Sequence, residues 1–200
     1  MSEALLAEVG SLKVRTWSRS LLMVLERPAG GHATAIAGVT IREAGPSDAP
    51  AYESDIGTDL ALTVVERLSR AGSSCWIAES DGRMVHASWV ETEAAWVGEI
   101  ERYLVVPPGD AYIYESFTRP EMRGRGVYPA VLATLSEHLG GRGIRRLWIA
   151  VESTNQPSLR AIQKAGFIPS FEIAIERRWG QVHVAIPQGV DPGFREHIPS

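Results

Sequence analysis

Glu115-Ser116-Phe117-Thr118-Arg119-Pro120-Glu121-Met122-Arg123-Gly124-Arg125-Gly126-Val127-Tyr128-Pro129 runs from the end of an alternating apolar segment, through a basic glycine loop, into a helix. The alternating segment, Ala111 to Thr118, stops at Pro120. Two glycines one residue apart then stand between arginines, and helical periodicity begins with Pro129 in the first turn. Glycines at 124 and 126 let successive backbone N–H groups turn into one concavity. The helix behind them adds unpaired N–H groups and the positive end of its dipole, while Arg123 and Arg125 add charge. Such a loop suits a pyrophosphate. The same local pattern also describes a glycine turn with solvated arginines.

Working outward, a chain of 200 residues is long enough for one domain with a substantial core, with or without an N-terminal extension. A net charge of −4 argues against general nucleic-acid binding, so the arginine cluster is aimed at a small anionic ligand. The single cysteine, Cys75, excludes an intramolecular disulfide framework and a thiolate zinc cluster. No apolar run approaches the roughly 18 residues of a membrane span, and no basic segment precedes a long apolar core at the start. The expectation is a cytoplasmic protein with no nucleic-acid or membrane partner.

In chain order, residues 1–38 read as an N-terminal arm packed on a main domain of residues 39–200. Within the arm, Leu21 to Leu25 fits a strand or a helix equally well. Val39 to Arg42 reads as a strand, broken at Gly45-Pro46-Ser47-Asp48, with Ser47 or Asp48 capping a short helix. Thr58 can cap a second helix, in which Ala61, Val64, Val65 and Leu68 fall at helical spacing. Cys75 to Glu79 and Met84 to Glu91 flank Asp81-Gly82 as a hairpin. Glu99 to Val106 reads as a strand answered by Ala111 to Thr118. After the glycine loop, Tyr128, Val131, Leu132, Leu135 and Leu139 share a helical face, and Leu147 to Val151 is a buried strand. Asn155 caps a last helix ended by Gly166, and Phe171 to Glu176 pairs with Val182 to Ile186 around Trp179-Gly180.

This order, with two motifs in it, resembles the GNAT superfamily of acyl-CoA-dependent N-acetyltransferases. The superfamily's loop is Gln/Arg-x-x-Gly-x-Gly/Ala, and Arg123-Gly124-Arg125-Gly126-Val127-Tyr128 matches its first two fixed positions, with Tyr128 where Gly or Ala is usual. The second motif, an Asn before a helix ending in Lys-x-Gly-Phe, is Asn155-Gln156-Pro157-Ser158 running to Lys164-Ala165-Gly166-Phe167. The resemblance covers about residues 39 to 186. It implies an α/β (α+β) fold with a mixed, splayed central sheet flanked by about four helices, and acetyl-CoA (coenzyme A) as co-substrate. Backbone groups of Phe117 and Thr118 would pair with the pantetheine arm. The N–H groups of Arg123, Gly124, Arg125, Gly126, Val127 and Tyr128 would hold the pyrophosphate, and Asn155 and Ser158 would line the far side of the arm. The superfamily often places a tyrosine four residues before the Gly-Phe pair to protonate the leaving thiolate. Here that residue is Ile162.

Direct attack of an amine on a thioester needs a base for the amine and a donor for the oxyanion. Read as a regular strand, Ile113, Glu115 and Phe117 share one face and Tyr112, Tyr114, Ser116 and Thr118 the other. Glu115 then lies between apolar side chains, where a buried carboxylate suits a general base; the plainer alternative is a carboxylate paired with an arginine. Tyr114 or Tyr112 could donate to the thiolate in place of the absent tyrosine. Glu99 and Glu101 share a strand face and could bind a cationic amine, or be solvated edge charges. Arg160 and Lys164 lie one turn apart and meet phosphate or solvent. His32, His86, His138, His183 and His197 show no metal-ligand spacing, so no metal is expected. Cys75 reads as core.

The leading expectation is an enzyme moving an acyl group, most simply acetyl, from coenzyme A to a small-molecule primary amine by direct transfer. Glu115 is the favoured base, and a homodimer through the C-terminal hairpin is possible. An acyl-CoA-binding sensor or scaffold without turnover is the alternative from another class. A third reading is a transferase for longer acyl chains or carrier-protein thioesters.

Overall fold

The computed structural model describes residues 17–33, 35–179, 181–189 and 195–197. Two sheets form. The larger has eight strands, in the order β10-β9-β1-β8-β7-β4-β3-β2, and the smaller has three, in the order β11-β6-β5. The strands are β1 (Trp17–Pro28), β2 (Thr40–Glu43), β3 (Ser73–Ser80), β4 (Arg83–Glu91), β5 (Ala94–Val97), β6 (Arg102–Val105), β7 (Asp110–Thr118), β8 (Arg146–Glu152), β9 (Ile168–Arg178), β10 (Gln181–Ala185) and β11 (Arg195–His197). The helices are α1 (Ala49–Asp55), α2 (Ala61–Leu68), α3 (Val127–Gly141) and α4 (Gln156–Lys164).

The α/β class, the mixed sheet and the four flanking α-helices are as expected. Antiparallel pairs make up the large sheet except at β7 and β8, which are parallel. Those two strands pair only from Asp110 with Arg146 to Ile113 with Ile149. Beyond that point β8 continues on β1, up to Leu22 opposite Glu152, and β7 continues on β4, up to His86 opposite Thr118. The sheet is therefore splayed between Tyr114–Thr118 and Ala150–Glu152. At the closed end, buried Asp110 accepts hydrogen bonds from Arg146 Nε and Trp148 Nε1, each at 2.9 Å.

Helices cover both faces. On one, α3 and α4 bury Val131, Leu132, Leu135, Leu159 and Ile162 against Ile113, Leu147 and Ile149. Truncating any one of these to alanine removes transfer free energy and leaves a cavity, at about 2–5 kcal/mol. On the other, α1 and α2 bury Tyr52, Ile56 and Val64 against Ile77, Ala87 and Trp89. Burial pushes the Cys75 thiol up to about 12, so it is core.

Several expectations are corrected. The segment to residue 38 was read as an arm, yet Trp17–Pro28 is an inner strand, hydrogen-bonded to β8 on one side and β9 on the other. Residues 1–16 lie outside the described residues. Glu99 and Glu101 are not strand residues but lie in the turn between β5 and β6, where Arg177 Nη2 donates to the Glu99 carbonyl at 2.7 Å and lies 3.6 Å from the Glu101 carboxylate. The strand they precede, β6, pairs with β5 and β11 rather than with β7. The α2 helix starts after Leu60, and Thr58 instead hydrogen-bonds the Tyr52 hydroxyl at 2.8 Å.

The regular alternation read for β7 also fails, because pairing with β4 slips between Ala87 and Trp89, opposite Glu115, and Glu115 takes a positive φ of 46°. An extra residue in one strand breaks the period of two. Ile113 packs toward α3, Tyr112 and Tyr114 pack on the opposite side, and after the bulge Phe117 joins that opposite side while Ser116 and Thr118 turn toward α3.

Candidate functional site

A cleft of about 620 Å³ lies at the splayed end of β7, bounded by that strand end, the glycine loop, the first turn of α3 and the length of α4 from Asn155 to Lys164. Phe117, Thr118, Arg123, Gly124, Gly126, Val127, Tyr128, Asn155 and Ser158 line it, with Ser116, Arg160 and Lys164. Arg125 is exposed and is not among the lining residues. Arg160 and Lys164, for which the sequence left solvent as an alternative, put two cations on the cleft wall.

The loop earns its shape at two positions. Gly124 and Gly126 have φ of 74° and 80°, in the left-handed region that a side chain makes costly. A Cβ on Gly124 would meet nothing within 4 Å, and one on Gly126 would find only Ile36 Cδ1, at 4.0 Å. The cradle is open space facing backbone, the fit an anion's oxygens need. Gly126 is the N-cap of α3, so the N–H groups of Val127 and Tyr128 have no acceptor within the helix. Arg123 Nε donates to the Thr118 carbonyl at 3.0 Å and ties the loop to the strand end. At the far wall, the Asn155 side chain accepts from the Ser158 N–H at 3.3 Å and caps α4.

Glu115 and Tyr114 are not lining residues of this cleft. They lie beside α2, brought together by Arg67, which the sequence reading missed. The Arg67 guanidinium lies 2.7 Å from the Glu115 carboxylate, is paired with Asp59, and sits 3.7 Å from the centre of the Trp89 ring and 5.4 Å from that of Tyr114. Glu115 is 49% exposed, so the apolar burial expected for it is absent and the arginine-paired alternative describes it. Burial pushes the Tyr114 phenol up to about 12, and its hydroxyl donates to Glu91 at 3.4 Å. Burial likewise raises the Glu91 carboxyl. Tyr112 is buried among the residues under the small sheet and does not reach the cleft.

His86 was also missed as a functional residue. It is fully buried, stacks on the Tyr128 ring at 5.2 Å, and bonds Thr118 Oγ1 at 2.7 Å and Ser88 Oγ at 2.8 Å. Its signal was present: His86 and Ser88 are polar residues two apart in the otherwise apolar run Met84 to Val90 of β4, which places both on one buried face. Tyr128 occupies the room a smaller residue would leave in front of that face.

Residues 40–167 match the acetyltransferase (GNAT) family. The chain belongs to the GNAT family. An uncharacterized N-acetyltransferase of Methanocaldococcus jannaschii is 29% identical to it over 102 residues, which cover 50% of this chain and 41% of that protein. This GNAT chain thus spans about two fifths of that relative's length. A GNAT-family acetyltransferase structure from Novosphingobium aromaticivorans superposes with a TM-score of 0.55 at 16% identity, covering 78% of this chain and 63% of that one. An aminoglycoside 6'-N-acetyltransferase from Acinetobacter baumannii gives 0.51 at 15% identity, covering 66% and 91%. At these identities the two structures speak to the GNAT fold alone.

Proposed function

We propose that the protein is an acyl-CoA-dependent N-acyltransferase that moves an acetyl group directly to a small-molecule primary amine. The observation that carries this reading is the parting of β7 from β8 beyond Ile113 and Ile149, which opens onto the glycine cradle. Phe117 and Thr118 line that cleft, and backbone groups of this strand end would pair with pantetheine amides as an added strand does. The cradle, with Arg123, Arg160 and Lys164, would hold the phosphates.

The acceptor would arrive from the α2 side, so that amine and thioester meet at the bulge. Glu115, an exposed carboxylate at the bulge, would take the amine proton directly or through water. Tyr114, a neutral phenol bonded to Glu91, would orient the acceptor rather than protonate sulfur. A homodimer would use the outer side of β10, the end strand of the large sheet among the described residues.

Calorimetric titration with acetyl-CoA tests the reading. Tight binding by the wild type and loss of binding in folded Gly126→Asp, which aims a carboxylate into the cradle, are expected; unchanged affinity in the variant would sink the site assignment. Acetylation of at least one amine in a panel then separates an enzyme from a binding module. That second reading is favoured by Ile162, which is 1% exposed in the core and supplies no phenol at that position of α4.

A further inference from the structure

Tyr128 is the second residue of α3, and its half-buried ring both lines the cleft and packs on the core beneath that helix. The ring stacks on His86, with centroids 5.2 Å apart and planes 30° apart. His86 is held in place. It is fully buried, its Nδ1 lies 2.7 Å from Thr118 Oγ1 and its Nε2 lies 2.8 Å from Ser88 Oγ. Ser88, also fully buried, lies in turn 2.8 Å from Ser116 Oγ. Both ring nitrogens are thus engaged along the edge of the imidazole, which leaves its face for Tyr128. A phenol backed by a pinned and buried ring is a fixed wall, because a close-packed interior yields little volume.

The strand in front of that wall fixes its place. Thr118 and Ser116, which hold His86 and Ser88, turn toward α3 after the bulge, and both line the cleft. Tyr128 therefore lies beneath the stretch of β7 that leads from the glycine cradle back toward Glu115. A donor with its phosphates in the cradle and its arm along Phe117 and Thr118 would bring its thioester to that stretch. Farther on, β7 and β8 close by pairing through Ile113 and Ile149. On the α4 side, Leu159, Ile162 and Val151 are buried in the core and fill the space. The room that a lengthening acyl chain would need is the room the Tyr128 ring occupies.

We propose that the Tyr128 ring sets the length of the acyl group, confining the donor to acetyl and similarly short thioesters, and that His86 is the positioning residue that holds the ring there. The assignment rests on the reading that the cleft takes an acyl-CoA. An extra methylene would have to displace the phenol, and the phenol has His86 behind it; overpacking of that kind is unfavourable. Truncating Tyr128 uncovers the face of His86 and takes no hydrogen bond from it, since Thr118 and Ser88 keep both nitrogens. Burial pushes the His86 pKa down to about 3, so the uncovered floor is uncharged and suits an aliphatic chain.

Calorimetric titration with coenzyme A, acetyl-CoA, butyryl-CoA and hexanoyl-CoA reads the limit without turnover. Dividing each Kd by that of coenzyme A for the same protein removes any change in the cradle itself. In the wild type, hexanoyl-CoA is expected to bind at least about 10-fold more weakly than acetyl-CoA, with butyryl-CoA between them. In Tyr128→Ala the hexanoyl-to-acetyl ratio of Kd values is expected to fall to about 1 or below, as the added methylenes find an apolar place. Tyr128→Phe keeps the ring and removes the hydroxyl, and is expected to keep the wild-type ratio. Tyr128→Leu serves if alanine prevents folding. A wild-type ratio near unity, a ratio unmoved by truncation, or a ratio lost in Tyr128→Phe overturns the proposal. The expected ratios with no amine acetylated remove the enzyme reading and leave Tyr128 as the limit on the bound acyl group; no binding of coenzyme A or of any thioester removes both.

Discussion

Arg67 and Glu115 meet at 2.7 Å across the bulge in β7, with the guanidinium carbon 3.7 Å from the centre of the Trp89 ring and the Arg67 side chain only 11% exposed. One cation thereby serves two carboxylates and an aromatic face, and its burial is supportable only because the anions stay with it. Arg67→Met keeps the packing and strands Asp59 and Glu115 together. The expected loss is about 2–3 kcal/mol, most of it from the more buried Asp59 and the Trp89 contact, since the pairing with Glu115 is screened by solvent. Urea unfolding of the variant and the wild type measures it, and equal midpoints would show that the cluster carries no stability.

Glu115→Gln separates chemistry from architecture. Glutamine can still accept from Arg67 but cannot take a proton, so acetyl-CoA affinity is expected to hold while kcat falls about 10²-fold. A wild-type kcat would assign Glu115 to holding Arg67 and move the base elsewhere.

Stability should fall on acidification through His86. Its folded pKa is depressed, by burial, from an ordinary 6.5 to about 3. Above the unfolded value both states are neutral and nothing is lost. As pH falls from about 6.5 toward 3 the unfolded chain binds a proton that the folded chain refuses, so unfolding becomes progressively easier. Denaturation midpoints against pH should slope over that range in the wild type and lose most of the slope in His86→Gln. Parallel profiles would mean the ring is protonated in place.

The glycine cradle was legible because its chemistry is local: Gly124 and Gly126 need the left-handed region, and no tertiary contact is required to predict where their N–H groups turn. The Asn155 cap and the buried β8 were legible for the same reason. The bulge was not, since Glu115 at positive φ is dictated by the slip against Ala87 and Trp89 in another strand, and a period-two reading then sends every later side chain to the wrong face. Leu21 to Leu25 could not be placed either. Its partners, Pro169 to Ala174 and Ile149 to Glu152, lie more than a hundred residues away. Arg67 was invisible for a third reason: a cation on a short helix reads as solvated until the acids and the indole that receive it are brought from other elements.

The position of β1 between β8 and β9 has a consequence for biogenesis. Leaving the ribosome, this strand precedes both of its neighbours, and the second of them, Ile168–Arg178, follows nearly the whole domain. Until both neighbours are made, its Leu22, Val24 and Leu25 side chains lack part of the core that covers them. Pairing at such sequence separation is slow, and an apolar strand with two open edges is a template for intermolecular association in the meantime. The strand made before its partners waits longest for them, so the nascent chain's demand for chaperone protection is concentrated in residues 17–28.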